Sequence, residues 1–294
     1  MVRIQFAIDL HYELISPGAD FVFNIHAAPT ARQFIVSESL RVNQPVLTTI
    51  QADPATYARF LRLTAAPGAL QVSYQAQVDI DHHIGDPDLI PETPVARLPL
   101  GALHYIYPSR YCQSDRLAVL AINEFGRLPK GYRRVEAICK WVNQHVAFCG
   151  NASCSTTSAI DTLTDRVGVC RDFAHLMIAI CRALSIPARF TTGIDYGADL
   201  ALGPSDFHAY VEAYLDGRWY LFDPSGTAVP MGFVRLGTGR DAADVSYATI
   251  FGSVTPPPPP LISVNAITEP GRPWEMPRRR PEALSTDSLP VLSD

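Results

Sequence analysis

Residues 206–226 read DFHAYVEAYLDGRWYLFDPSG, and the pair Asp216–Gly217 near the centre decides how the segment folds. Two short runs rich in aromatic and β-branched residues flank an Asp-Gly, a dipeptide that tolerates the two positive φ angles of a type I′ turn. The spacing predicts a hairpin in which Leu215 faces Arg218, Tyr210 faces Asp223 and His208 faces Ser225. Side chains alternate along a strand, so His208, Tyr210 and Glu212 share one face with Asp223, while Val211, Ala213 and Leu215 point the other way. His208 and Asp223 become diagonal neighbours, an imidazole within reach of a carboxylate.

Upstream, the segment GVCRDFAHL places Cys170 directly after Gly168–Val169, where a loop enters a helix expected to run to about Ser185. Phe173, Leu176, Met177, Ile180, Cys181 and Leu184 form one apolar face, and Ala174, Ile178, Ala179 and Ala183 leave little polar surface elsewhere. A helix apolar on most sides is buried in the centre of a domain. A cysteine in its first turn meets the partial positive charge and free amides of the helix N-terminus, which favour a thiolate and can stabilise an oxyanion. Taken singly, each residue has a plainer reading. A free cysteine is most often a small buried apolar residue, a strand histidine is most often structural, and Asp-Pro often merely starts a turn. Their joint placement is what points to a Cys170, His208, Asp223 triad.

Other groupings carry less. His175 and Asp172 lie on the same helix and either could be nominated as the triad partner, but His175 follows Cys170 by five residues, about 140° further round a helix, so the two side chains diverge, and it reads as a buried hydrogen-bonding residue. Cys139, His145, Cys149 and Cys154 have no zinc-knuckle spacing, no acidic loop suits calcium, and no glycine-rich phosphate or dinucleotide motif is present. No metal and no cofactor is expected. His82–His83, beside Asp79 and Asp81, is expected in a solvated loop.

The 294 residues suit about two domains. With 47% hydrophobic residues, 18% charged and a net charge of −5, the chain is too apolar to be disordered and too weakly charged for a nucleic-acid or polybasic membrane partner. No apolar run approaches about 18 residues, and MVRIQFAIDLHYEL lacks the features of a secretory signal. A cytoplasmic location is the expectation, with the six cysteines as free thiols. Oligomeric state is not readable.

From residue 1 to about 98, alternating runs at Arg3 to Leu14, Phe21 to His26, Gln33 to Val42, Val46 to Ile50, Tyr57 to Thr64 and Gly68 to Ile80 predict an all-β sandwich. From 99 to 254 the period becomes helical, with helices expected over about 115–125, 133–147 and after Ser155, then strands at Ala188 to Ile194, Phe207 to Leu215 and Trp219 to Phe222. Residues 255–294, opening on Pro256 to Pro260, are proline-rich and polar, and are expected to be an unpacked tail.

GVCRDFAHL with IPARF, then DFHAYVEAYLDGRWYLFDPSG, resemble in order and spacing the cysteine, histidine and aspartate boxes of the transglutaminase-like superfamily, and more narrowly its bacterial cysteine-protease branch. The likeness covers about residues 100 to 250, and the N-terminal region resembles the domain that often precedes this core. It implies an α+β fold: a papain/transglutaminase-like core of helices packed on an antiparallel sheet, preceded by the all-β domain. It also implies Cys170 as nucleophile, His208 as general base then acid, and Asp223 as the group orienting His208. The implied activity is acyl transfer through a thioester on a peptide or protein amide substrate, as a protease or amidase. A protein-crosslinking transglutaminase and a non-catalytic peptide-binding module are the alternatives. Tyr210 stands where the family often has tryptophan and Ser225 where threonine is common, which bears on pocket shape. Neither Trp141 nor Gln144 can be assigned as a second oxyanion donor.

Overall fold

The computed structural model describes residues 1–197, 205–268, 271 and 273–287. In the N-terminal part, β1 (Val2–Phe23), β2 (Gln33–Val42), β3 (Thr49–Ala52), β4 (Arg59–Ala65) and β5 (Gly68–Ile80) form one antiparallel sheet. β1 is its axis. Residues 2–14 of β1 pair with β5, and 19–23 pair with β4.

Between those two stretches the chain bends and its burial phase changes. Even-numbered residues point inward from Val2 to Leu14, odd-numbered ones from Ala19 to Phe23. Gly18 sits in the bend at φ 115°, and a Cβ there would lie 2.3 Å from the Ala65 carbonyl oxygen, so both the angle and the contact require glycine. The bend folds the sheet over itself, bringing Tyr12 from one half against Phe21 and Phe23 from the other, at 5.1 and 5.9 Å between ring centroids. One curled sheet, a half-barrel, thereby encloses the apolar interior that the sequence pattern assigns to two facing sheets.

The second part begins with β6 (His83–Gly85), a short α1 (Leu100–Leu103), α2 (Ala118–Phe125) and α3 (Tyr132–His145). β7 (Ala147–Phe148), α4 (Ala159–Asp165), β8 (Val167–Gly168) and α5 (Cys170–Ala183) follow, with β7 and β8 paired in parallel. β9 (Ala188–Asp195), β10 (His208–Leu215), β11 (Arg218–Phe222) and β12 (Phe233–Gly239) make a four-stranded antiparallel sheet in the order β11-β10-β9-β12. α5 packs on β9 and β10 and against α2, α3 and α4. Every residue from Asp172 to Arg182 is buried, each large apolar side chain contributing about 1.5–3 kcal/mol. The sheet has two buried faces. Val211, Ala213 and Leu215 face the helical core, whereas Tyr210, Leu221, Phe233 and Val234 join the core of the N-terminal sheet.

Residues 255–294 are not the unpacked tail that their composition suggests. β13 (Ala248–Val254) and β14 (Leu261–Ile267) both pair with β1, on the side opposite β4 and β5. Pro256 to Pro260 join them along the outer edge of the sheet, where a residue without an N–H costs no ladder bond. Further on, β15 (Ala283–Ser285) pairs with β6 and is fully buried. His83 therefore lies in a strand, and neighbouring His82, half-buried, is pushed by desolvation down to about 4, so this pair is no solvated loop. The composition misled because the few apolar anchors, Ala283 and Leu284 among them, are joined by polar ones that depend on distant partners. Arg3 lies 4.2 Å over the Trp274 ring, Thr30 donates to the Thr286 carbonyl (2.7 Å), and Asp287 pairs with Arg189 and Arg235. Residues 269–270, 272 and 288–294 of that segment lie outside the described residues.

Candidate active site

The hairpin around Asp216–Gly217 has the register its turn predicts, Leu215 opposite Arg218 and Val211 opposite Phe222, and both turn residues have positive φ, 46° and 78°. His208 opens β10 and Asp223 follows β11 immediately, so the register carries both to one end of the sheet. His208 Nε2 lies 3.4 Å from Asp223 Oδ1. That is beyond the usual N–H···O range and within that of an ion pair. The other face of this end is closed by Phe233, whose ring stacks on the imidazole at 5.3 Å.

Asp223 is held by its own loop. Oδ1 accepts from the Ser225 hydroxyl (2.6 Å) and amide (3.1 Å), and Oδ2 from the Ala228 amide (3.0 Å). This is a turn that an aspartate before Pro-Ser forms with its own backbone. From α3, Asn143 Nδ2 donates to the carbonyls of Pro224 (3.2 Å) and Ser225 (2.9 Å), tying the loop to the helical layer. Burial works against a charged Asp223, but His208 and these donors outweigh it and hold the carboxyl below its usual range. Burial likewise opposes a charged His208. The Asp223 charge, with a smaller contribution from the Cys170 thiol, overcomes it and holds the imidazole well above its ordinary value.

Cys170 is the first residue of α5, half-buried, with its thiol beside His208 and 4.0 Å from the Phe207 carbonyl oxygen. The turn that delivers it is fixed by Asp172, whose Oδ2 accepts from the Val169 amide (2.9 Å) and whose Oδ1 pairs with Arg171 (2.9 Å). Asp172 packs so closely under the entering chain that a Cβ on Gly168 would come 2.8 Å from its Cβ. Asp172 thus caps the helix. His175 is likewise structural: Nε2 accepts from the Ala242 amide (3.1 Å), the ring stacks on Tyr111, and burial keeps it neutral. Tyr210 stacks on Phe233 at 4.2 Å, beneath the site and 1% exposed.

The structure thus brings together the three residues singled out in the sequence and adds others. Asp195, at the end of β9, approaches the opposite edge of the imidazole, its Oδ2 3.8 Å from His208 Nδ1. Asn143 and Ser225 secure Asp223. An aspartate closing an apolar strand and an asparagine on an exposed helix face carry no signal in a single sequence. Among the described residues, no group of His, Cys, Asp and Glu is arranged to hold a metal ion, and no helix is long and apolar enough to cross a membrane.

Residues 122–224 match the transglutaminase-like superfamily and residues 2–100 match the bacterial transglutaminase N-terminal domain. A solved structure from Cytophaga hutchinsonii, named a "putative cysteine protease", is 38% identical, covers 97% of each chain and superimposes with a TM-score of 0.87. The periplasmic domain of TgpA from Pseudomonas aeruginosa, bound to ethylmercury, is more distant, at 17% identity over 78% of this chain and 92% of that one, with a TM-score of 0.39. An uncharacterized protein of Mycobacterium leprae is 29% identical over 39% of this chain, a match spanning 42% of that relative's length. A Mycobacterium tuberculosis protein, also uncharacterized, is 34% identical over 31% of this chain and 32% of its own length. With the N-terminal sheet, the helical core and the Cytophaga structure in agreement over nearly the whole chain, this protein belongs to the transglutaminase-like superfamily.

Proposed function

We propose that the protein is a cysteine-nucleophile enzyme that cleaves peptide or amide bonds through a thioester. The observation that carries the reading is the His208 imidazole lying between the thiol of the α5 N-terminal cysteine and the buried carboxylate of Asp223. Proton transfer from the Cys170 thiol to His208 generates the nucleophile. Its sulfur bonds to the substrate carbonyl carbon, and the oxyanion that forms sits at the amides of the first turn of a 14-residue helix. Collapse breaks the C–N bond, and His208 hands its proton to the departing amine. Water then attacks the thioester, giving its proton to His208, and the C–S bond breaks to release the acid and the free thiol. Asp223 keeps the imidazole oriented and stabilises its charged form throughout.

Hydrolysis is favoured over transfer to an amine by the name the Cytophaga relative carries. The test is the rate at which iodoacetamide modifies each thiol at neutral pH. Cys154 needs control, because it is exposed and hydrogen bonds from Thr156 and Thr157 lower it to about 7. In a Cys154→Ser background, Cys170 should react fastest of the remaining cysteines, and His208→Ala should slow it. Equal reactivity of Cys170 and exposed Cys149 would remove the catalytic reading in favour of a binding module.

A further inference from the structure

The imidazole of His208 has carboxylates at both edges. Asp223 lies 3.4 Å from Nε2 and Asp195 lies 3.8 Å from Nδ1, and each is 3% exposed. The two are not equivalent. Asp223 spends its oxygens on Ser225 and Ala228, whereas Asp195 Oδ2 has no hydrogen-bond partner although it is buried. A buried, unpartnered carboxylate oxygen is costly to keep, and its nearest ionisable neighbour is the imidazole.

We propose that Asp195 is a second positioning carboxylate of this site, holding the Nδ1 edge of His208 as Asp223 holds the Nε2 edge. The inference rests on the reading of His208 as the acid and base of the proposed reaction. At 3.8 Å the Asp195 contact is a charge–charge attraction rather than a hydrogen bond, so Nδ1 stays free to exchange its proton with Cys170, and each carboxylate favours the charged ring electrostatically. Two flanking carboxylates therefore select the protonated ring. The groups facing it are Cys170 from α5, Asp195 from β9 and Asp223 after β11. β12 supplies the uncharged ring of Phe233, and Asp206 spends Oδ1 on the Phe207 amide.

The asymmetry divides the labour. Asp223, with its fixed donors, stays ionised. Burial makes Asp195 hold a proton more tightly than an ordinary aspartate, with repulsion from Asp223 adding to this and attraction to His208 opposing it. Asp195 thus sets how readily His208 parts with its proton.

The experiment follows His208 itself, by NMR of histidine-labelled protein with its ring signals assigned by their loss in His208→Gln. Asp195→Asn and Asp195→Ser should lower the His208 titration midpoint by about one unit, the usual effect of removing an opposite charge at this range. In the Cys154→Ser background the alkaline limb of Cys170 alkylation should move by the same amount, which a purely structural role for Asp195 would not produce. An unchanged midpoint in both variants overturns the proposal. Should both fail to fold, the wild-type Asp195 carboxyl carbon must show two inflections, one following His208; a single inflection overturns it equally. A midpoint that moves while Cys170 reacts no faster than Cys149 leaves the coupling intact and removes the acyl-transfer reading instead.

Discussion

Replacing Asp287 with alanine removes one of two negative charges from a buried cluster of four. Arg189 Nε donates to Glu212 Oε2 (2.7 Å), Arg235 pairs with Glu212, and Asp287 Oδ2 pairs with Arg189 and lies 3.5 Å from Arg235 Nη1. Arg189, Glu212 and Arg235 are 5%, 0% and 1% exposed and Asp287 is 7% exposed, so water cannot substitute for the lost partner. Among the described residues the four charges of the cluster cancel, and the variant leaves one guanidinium short of its carboxylate in the core. Removing one partner of a buried pair costs about 3–5 kcal/mol. At about 2–4 °C per kcal/mol for a chain of this size class, Tm should fall by roughly 6–20 °C. The assay is thermal unfolding followed by circular dichroism at pH 7, with Asp287→Asn, which keeps the shape and an acceptor, expected in between. A melting point within about 2 °C of wild type would show that the 283–287 segment is not bound as described.

Three further outcomes are expected. His26, 1% exposed and without a hydrogen-bond partner on either nitrogen, is pushed by burial to about 4, so the unfolded chain binds its proton first as pH falls from 6.5 toward 4 and stability drops over that window. His26→Phe should recover about 2 kcal/mol of the loss between pH 7.5 and 5, read from urea unfolding at the two values. Gly168→Ala must displace the Asp172 cap and should cost about 1–3 kcal/mol while slowing Cys170 alkylation, whereas loss of stability alone would mean the cap does not place the cysteine. Cys170→Ala should abolish turnover of any substrate found, with Asp223→Asn milder than His208→Ala, and retained turnover without Cys170 would refute its role as nucleophile.

The parts readable from sequence were those set by local chemistry. Asp216–Gly217 fixes a turn, the turn fixes a register, and the register puts His208 beside Asp223 without any knowledge of the rest of the chain. The buried helix announced itself because apolar residues cover nearly its whole circumference. What escaped depends on distant partners. β1 reads as two strands because Pro17 and Gly18 interrupt it, yet the ladders to β4, β5, β13 and β14 carry it through the bend. β12 contains Arg235 and two glycines, which weaken a strand pattern until Glu212 and Asp287 are known to pair with that arginine. Asp195 gains meaning solely from the imidazole across the sheet.

The long central strand also dictates an order of events. Arg3 pairs with Asp79 on one side and with Ile267 on the other, so one flank of β1 can be completed early in synthesis while the opposite flank waits for almost the entire chain. Closing so large a loop carries a high entropic cost before any contact rewards it, which slows the search for the native state. During that interval the backbone hydrogen-bonding groups along the waiting flank are open to a neighbouring nascent chain. A fragment ending near residue 98 would be trapped permanently in that condition, and should aggregate where the full-length protein does not.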